Sequence, residues 1–129
     1  MLLKRKAKKL NSLVLTFDDG PGSRLTPAIL DILAEHKVKA TFFVLGRSIV
    51  GREEIVRQIA DQGHEICSHG YEHLHYWKVS QLRTTKDIKQ GSSAINSVLD
   101  TSDVNTYFAH LKESKTWSVF FACYRVGCP

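Results

Sequence analysis

The 129-residue chain lacks most features that would remove it from the class of ordinary globular domains. No apolar run near its basic start is long enough to cross a bilayer, which needs about 20 residues. Met1-Leu2-Leu3 followed by lysines reverses a secretory signal, where charge comes first and the apolar core second. Either the N-terminus is incomplete or the protein as written is expected in the cytoplasm. Internal repeats of fixed period and low-complexity tracts are absent. Cysteine is scarce, with three residues and no obvious disulfide framework. Cys67 falls in a predicted buried strand and reads as a small core residue, while Cys123 and Cys128 could pair only by closing a tight loop. Broadly spread positive charge is missing as well. The net charge is +5, but Lys4, Arg5, Lys6, Lys8 and Lys9 alone supply five positives. The rest of the chain is near neutral, which excludes a domain-wide nucleic-acid footprint.

What is present suits one small soluble domain: 43% hydrophobic and 24% charged residues over a length too short for two cores. Residues 1–11 form a basic tail. The stretch Leu13-Val14-Leu15-Thr16-Phe17-Asp18-Asp19-Gly20-Pro21 follows. An apolar, partly β-branched run carries two adjacent carboxylates to a Gly-Pro pair that ends the strand. Carboxylates at a strand end must be solvated, paired or bound to a cation, because burying a bare one is costly. An acidic surface turn is the plain alternative.

A second stretch, Gly63-His64-Glu65-Ile66-Cys67-Ser68-His69-Gly70-Tyr71-Glu72-His73, is a short apolar strand running into His-x-x-x-His. Alone it equally suits two surface histidines. Combined with an upstream aspartate it becomes a mixed nitrogen and oxygen ligand set. Two histidines and one carboxylate leave coordination positions open, as a catalytic metal requires.

Between and after these stretches the pattern alternates strand and helix. A helix is expected over Leu25–Glu35, with Thr26 as N-cap, Pro27 in the first turn, and Leu25, Ile29, Ile32 and Leu33 facing the sheet. Ala40 to Val44 reads as a strand ended by Gly46. Glu53 to Gln62 reads as an amphipathic helix stopped at Gly63. Glu65 to Cys67 is a third strand. Ser80 caps a long helix to about Leu99, with Leu82, Ile88, Ile95 and Val98 apolar and Gly91 a weak point. Three strand–helix units in succession imply a parallel α/β architecture.

Thr16-Phe17-Asp18-Asp19-Gly20-Pro21, Ala40-Thr41-Phe42-Phe43-Val44 and Gly63-His64-Glu65-Ile66 with His69 and His73 together resemble the polysaccharide deacetylase family, the NodB-homology domain of carbohydrate esterases. The likeness covers roughly residues 12 to 100, so residues 12–107 are expected to form a partial domain of that type. It implies the N-terminal part of a distorted (β/α) barrel, with its site at the C-terminal ends of the strands. It also implies a hydrolase that removes N-acetyl groups from N-acetylglucosamine-containing polysaccharide, chitin-like or peptidoglycan, usually extracellular or in the cell wall. By the same resemblance Asp19, His69 and His73 are the metal ligands and Asp18 is the catalytic base. The metal is divalent, zinc first, with cobalt or another ion as alternatives. His64 and His75 are read as non-ligands. Tyr71, Tyr76 and Trp77 could stack on a sugar, Tyr71 being the candidate substrate contact, while Thr16 and Phe17 are expected in the strand core.

Two departures from the family pattern carry expectations of their own. Gly70 stands where the family usually has Ser or Thr, which is expected to loosen the loop between the histidines. Beyond residue 100 the family's Arg-Pro-Pro-Tyr-Gly-like segment, Trp-bearing strand and Leu-x-x-His, which supplies a catalytic acid, do not appear. Shifting the codons of Phe108-Ala109-His110-Leu111 by one base gives Phe-Arg-Pro-Pro when the first three end in C, so residues 108–129 are expected to be an atypical, frameshifted tail. Two other functions fit the residues: an inactive truncated fragment that keeps its metal site, and a metal-dependent phosphoesterase.

Overall fold

A computed structural model describes residues 13–100. The expected tails at 1–11 and 108–129 lie outside those residues, as do Cys123 and Cys128. Three parallel strands, β1 (Thr16–Gly20), β2 (Thr41–Val44) and β3 (Glu65–Ser68), form one sheet in that spatial order. Helix α1 (Leu25–Glu35) joins β1 to β2, α2 (Gly46–Ile49) and α3 (Glu53–Asp61) join β2 to β3, and α4 (Gln81–Leu99) follows β3 after a 3-10 turn at Tyr76–Lys78. The expected alternation is present. The short helix α2, with Gly46 in its first position rather than as a plain stop, was not anticipated.

Thr-Phe-Phe-Val in β2 is buried along its whole length. A strand covered on both faces reads as a continuous apolar run, not an alternating one, and this is the signature of a parallel sheet under helices. Val44, Val56, Ile59, Ile66 and Ile95 are fully buried and make up the centre of the core. Each such aliphatic side chain contributes about 1.5–3 kcal/mol on leaving water. Helix α3 starts with Glu53 and Glu54, whose charges favour a helix N-terminus.

β1 departs most from expectation. Leu13 is 85% exposed and Val14 54%, and Thr16 is exposed too. The cause is topology: β1 pairs with β2 on one side and with no other strand among the described residues. Phe17 does reach inward and stacks on Phe42 at 5.1 Å. Helix α1 has the expected bounds but a rotated face. Thr26, Leu30 and Leu33 are buried, at i, i+4 and i+7, while Leu25 and Ile32 point outward. Thr26 is not the N-cap, which falls at Arg24; its hydroxyl instead accepts a bond from Gly22 N at 2.9 Å. The cap at Ser80 is as expected, its Oγ accepting from Arg83 N at 3.4 Å.

Helix α4 buries an unusual line: Asp87, Gly91, Ser92 and Ile95, with Leu82 exposed. Gly91 is not a weak point. A Cβ there would lie 2.6 Å from the backbone C and O of Gly70 and from Ser68 Oγ, so only hydrogen lets helix and loop approach this closely. Gly91→Ala should therefore destabilise the protein by about 1–3 kcal/mol through overpacking, although alanine is the better helix former by about 1 kcal/mol. Urea unfolding of the two proteins checks the sign; a more stable variant would show that the helix can back away freely.

His64, buried under the sheet, gives a second prediction. Its Nδ1 accepts from Ala40 N at 3.2 Å, its ring meets the Phe42 edge at 5.4 Å, and its Nε2 has no hydrogen-bond partner among the described residues. Burial first, and the Lys39 ammonium second, hold its pKa below the ordinary value. The unfolded chain takes up that proton near pH 6.5 and the native chain does not. Stability from this group is thus complete above about pH 6.5 and declines as pH falls below it. Urea midpoints at pH 7.5 and 5.5 should differ less for His64→Met than for the wild type. Equal acid sensitivity in both proteins would contradict this.

Candidate metal centre

Parallel pairing puts the C-terminal ends of all three strands on one side of the sheet. Val44 of β2 is opposite Gly20 on one flank and Ser68 on the other. Asp19, just before that rung on β1, and His69, just after it beyond β3, are thereby delivered to the same edge. His69 N donates to Val44 O at 2.8 Å, which fixes the start of the histidine loop to the central strand.

Asp19 is the extra residue of a bulge. The register runs Asp18 with Phe43 and then Gly20 with Val44, so Asp19 has no partner in the ladder. Its φ is +68°. A bulge of this kind turns one side chain away from the alternation of the strand. His73, at the far end of the loop, also has a left-handed φ of +60°. Asp and His are among the non-glycine residues that tolerate this region best, yet such conformations cost on the order of 1–3 kcal/mol each. Two of the three candidate ligands occupy them.

The result is a compact donor set. Asp19 Oδ1 is 3.4 Å from His69 Nε2 and 3.3 Å from His73 Nε2, and the three donor atoms all lie within 4.8 Å of one another. Good nitrogen–oxygen hydrogen bonds are shorter, at about 2.7–3.2 Å. For ligands about 2.0–2.1 Å from one zinc-like ion, the edge of the coordination tetrahedron is about 3.3–3.4 Å. Both ligand-to-carboxylate distances therefore fit a shared cation. His69 is nearly buried, His73 is intermediate, and the Asp19 side chain is 59% exposed. One side of the triad rests on the protein and the other opens to solvent.

The other expected residues are placed as follows. Asp18 is exposed, adjacent to the bulge in β1. His64 lies in the core below the sheet, apart from the triad set. His75 and Trp77 continue the file of rings outward, with centroids 6.3 Å from His73 to His75 and 4.9 Å from His75 to Trp77. The ring of Tyr71 packs over Gly46, whose added Cβ would come within 2.4 Å of it. Tyr71 also borders an open groove of about 840 Å³ along α4, whose lining includes none of the triad.

The loop at Gly70 is not loosened. Gly70 has a φ of +85°, and a side chain there would meet Tyr76 Oη at 2.4 Å and Asp87 Oδ2 at 2.5 Å. Those groups fill the space and bond the loop instead: Tyr76 Oη donates to Asp87 Oδ2 at 2.9 Å, and Tyr71 N to the same oxygen at 3.1 Å. Sequence reasoning missed Asp87. It is one acid on a mostly polar helix, and its burial comes from a loop 16 residues away landing on it, which no local pattern reveals.

Among the described residues, no helix is long and apolar enough to cross a membrane. The sequence profile of polysaccharide deacetylases matches residues 5–116. The chain is 50% identical over 93 residues to a chitooligosaccharide deacetylase of Sinorhizobium fredii, covering 72% of this chain and 43% of that protein. It is 41% identical over 90 residues to a peptidoglycan-N-acetylglucosamine deacetylase of Listeria monocytogenes, covering 70% of this chain and 19% of the relative. Among solved structures, the Bc1960 peptidoglycan N-acetylglucosamine deacetylase superposes with a TM-score of 0.65 and 42% identity over 66% of this chain and 40% of that one. The chain thus spans less than half the length of each of these relatives. Its parallel βα units are those of the N-terminal part of their barrel, and with the profile covering most of its length, the chain belongs to the polysaccharide deacetylase family.

Proposed function

We propose that the chain carries the cation site and the base of a hydrolase that removes N-acetyl groups from N-acetylglucosamine-containing polysaccharide, chitin-like or peptidoglycan. The observation that carries this reading is the spacing of Asp19, His69 and His73, which fits one divalent cation with open positions facing solvent. Two imidazoles and one carboxylate suit zinc, with cobalt as an alternative. When bound, such an ion supplies Lewis acidity toward an acetamide carbonyl and an attacking water.

The chain's own residues then have separate tasks. His69, held at the end of β3 and nearly buried, fixes one side of the site, and the bulge turns Asp19 toward it. Asp18 is the neighbouring carboxylate on an exposed strand end, and it accepts the proton that water loses as its oxygen bonds to the carbonyl carbon. Asp18 passes that proton to the amide nitrogen as the carbon–nitrogen bond breaks, and the acetic acid formed loses its own proton to the medium, giving acetate and a free sugar amine. The similarity to named chitooligosaccharide and peptidoglycan deacetylases supports the substrate class.

A second reading, cation binding without turnover, draws support from residues 101–129, in which the Arg-Pro-Pro-Tyr-Gly-like segment and the Leu-x-x-His of the resembled family do not appear. The same experiment separates the two. His69→Ala and His73→Ala should each abolish stoichiometric zinc binding in calorimetric titration. Asp18→Asn should keep the zinc and lose about 10²-fold or more of acetate release from chitooligosaccharides, the share of a general base. Zinc bound by the wild type with no acetate released would favour the second reading; zinc lost in Asp18→Asn would make that residue a ligand and not the base.

A further inference from the structure

The segment between the two histidines makes five backbone hydrogen bonds, and two successive amides share one side chain. Gly70 N donates to Ser68 Oγ at 3.2 Å, Tyr71 N to Asp87 Oδ2 at 3.1 Å, and Glu72 N to Asp87 Oδ1 at 2.8 Å. On the opposite side, Gly70 O accepts from Gly46 N at 2.9 Å and Tyr71 O from Arg47 N at 3.3 Å. The loop is therefore clamped between α2 and α4. The Asp87 carboxylate is the pivot of the α4 side: 4% exposed, it takes three bonds, two of them from successive amides just before His73.

We propose that Asp87 is the positioning residue of the cation site. By holding the amides of Tyr71 and Glu72 on its two oxygens, it forces the turn that puts His73 at φ +60° and its ring beside that of His69, 5.1 Å away. A left-handed histidine does not hold itself in place; the surrounding structure must over-determine it. Bidentate acceptance by one carboxylate does so, because both amides must point to the same spot on α4. Tyr76 Oη takes a further position on Oδ2 and limits where the carboxylate can turn. Gly70 leaves the space in which carboxylate and phenol sit. Outer partners of this kind change metal affinity without touching the ion. The inference rests on the cation reading given above for the triad.

The test uses the full chain and Co²⁺ as probe. Asp87→Asn keeps the shape but turns one acceptor into a donor facing an amide donor. Its Co²⁺ dissociation constant should rise about 10–100-fold, with altered visible absorption, while circular dichroism stays that of a folded protein. In the metal-free protein, nuclear Overhauser contacts between the His69 and His73 rings should be present in the wild type and lost in Asp87→Asn. A role in stability alone would lower the melting temperature yet leave both readouts unchanged in the folded fraction. Dissociation constants within twofold of the wild type, with the ring contacts retained, would overturn the proposal. If Asp87→Asn does not fold, Tyr76→Phe decides: several-fold weaker Co²⁺ binding supports the proposal and an unchanged constant overturns it. A wild type that binds no Co²⁺ refutes the cation reading by itself, and the ring contacts of the metal-free proteins then decide the role of Asp87.

Discussion

Parallel pairing around β2 is the constraint on which everything else depends. Strands that run the same way end on the same side, and Val44 is opposite both Gly20 and Ser68. The flanking strands are then roughly 9–10 Å apart, two strand spacings, with the end of β2 between them. Asp19 from one flank and His69 from the other can meet only across that end. The chain of β2 leaves at once into α2, with Leu45 N bonded to Gly20 O and Gly46 N to Gly70 O. The same short turn that clears the space also ties the two flanks together.

Holding a donor set there requires conformations that the backbone resists. The bulge at Asp19 and the left-handed His73 each carry a conformational cost. Both are set beside rigid elements: the ladder of β1 and β2 for the first, the clamp of α2 and α4 for the second. The buried line of α4 joins loop contacts to the apolar packing of Ile95, Ala94, Val98 and Leu99. Asp87 provides acceptors, Gly91 allows contact with the loop backbone, and only Ile95 adds a fully buried aliphatic chain.

The alternation of strands with the three longer helices, the bounds of α1 and the cap of α4 were readable because period, capping chemistry and apolar runs are local signals. Asp19, His69 and His73, which the structure brings within 4.8 Å of one another, were also singled out from the sequence, through motif spacing and family resemblance. What stayed hidden is tertiary. Leu25 and Ile32 share the helical spacing of Leu33, and only the docking angle turns them outward. Leu13 and Val14 read as buried strand because composition does not show that β1, which they precede, pairs on one side alone among the described residues. Gly70 and Gly91 look like weaknesses in isolation and are close contacts in fact, each explained by the other's neighbourhood. Asp87 has no local signal at all, since its partners are amides 15 and 16 residues upstream.

The most direct test of the central claim is anomalous diffraction at the zinc edge from crystals of the full chain grown with one equivalent of zinc. A single strong peak is expected, bounded by Asp19 Oδ1, His69 Nε2 and His73 Nε2, each about 2.0–2.2 Å away, with the loop from His69 to His73 unmoved. A peak on other residues, or none with the three side chains left at their present separations, would contradict it.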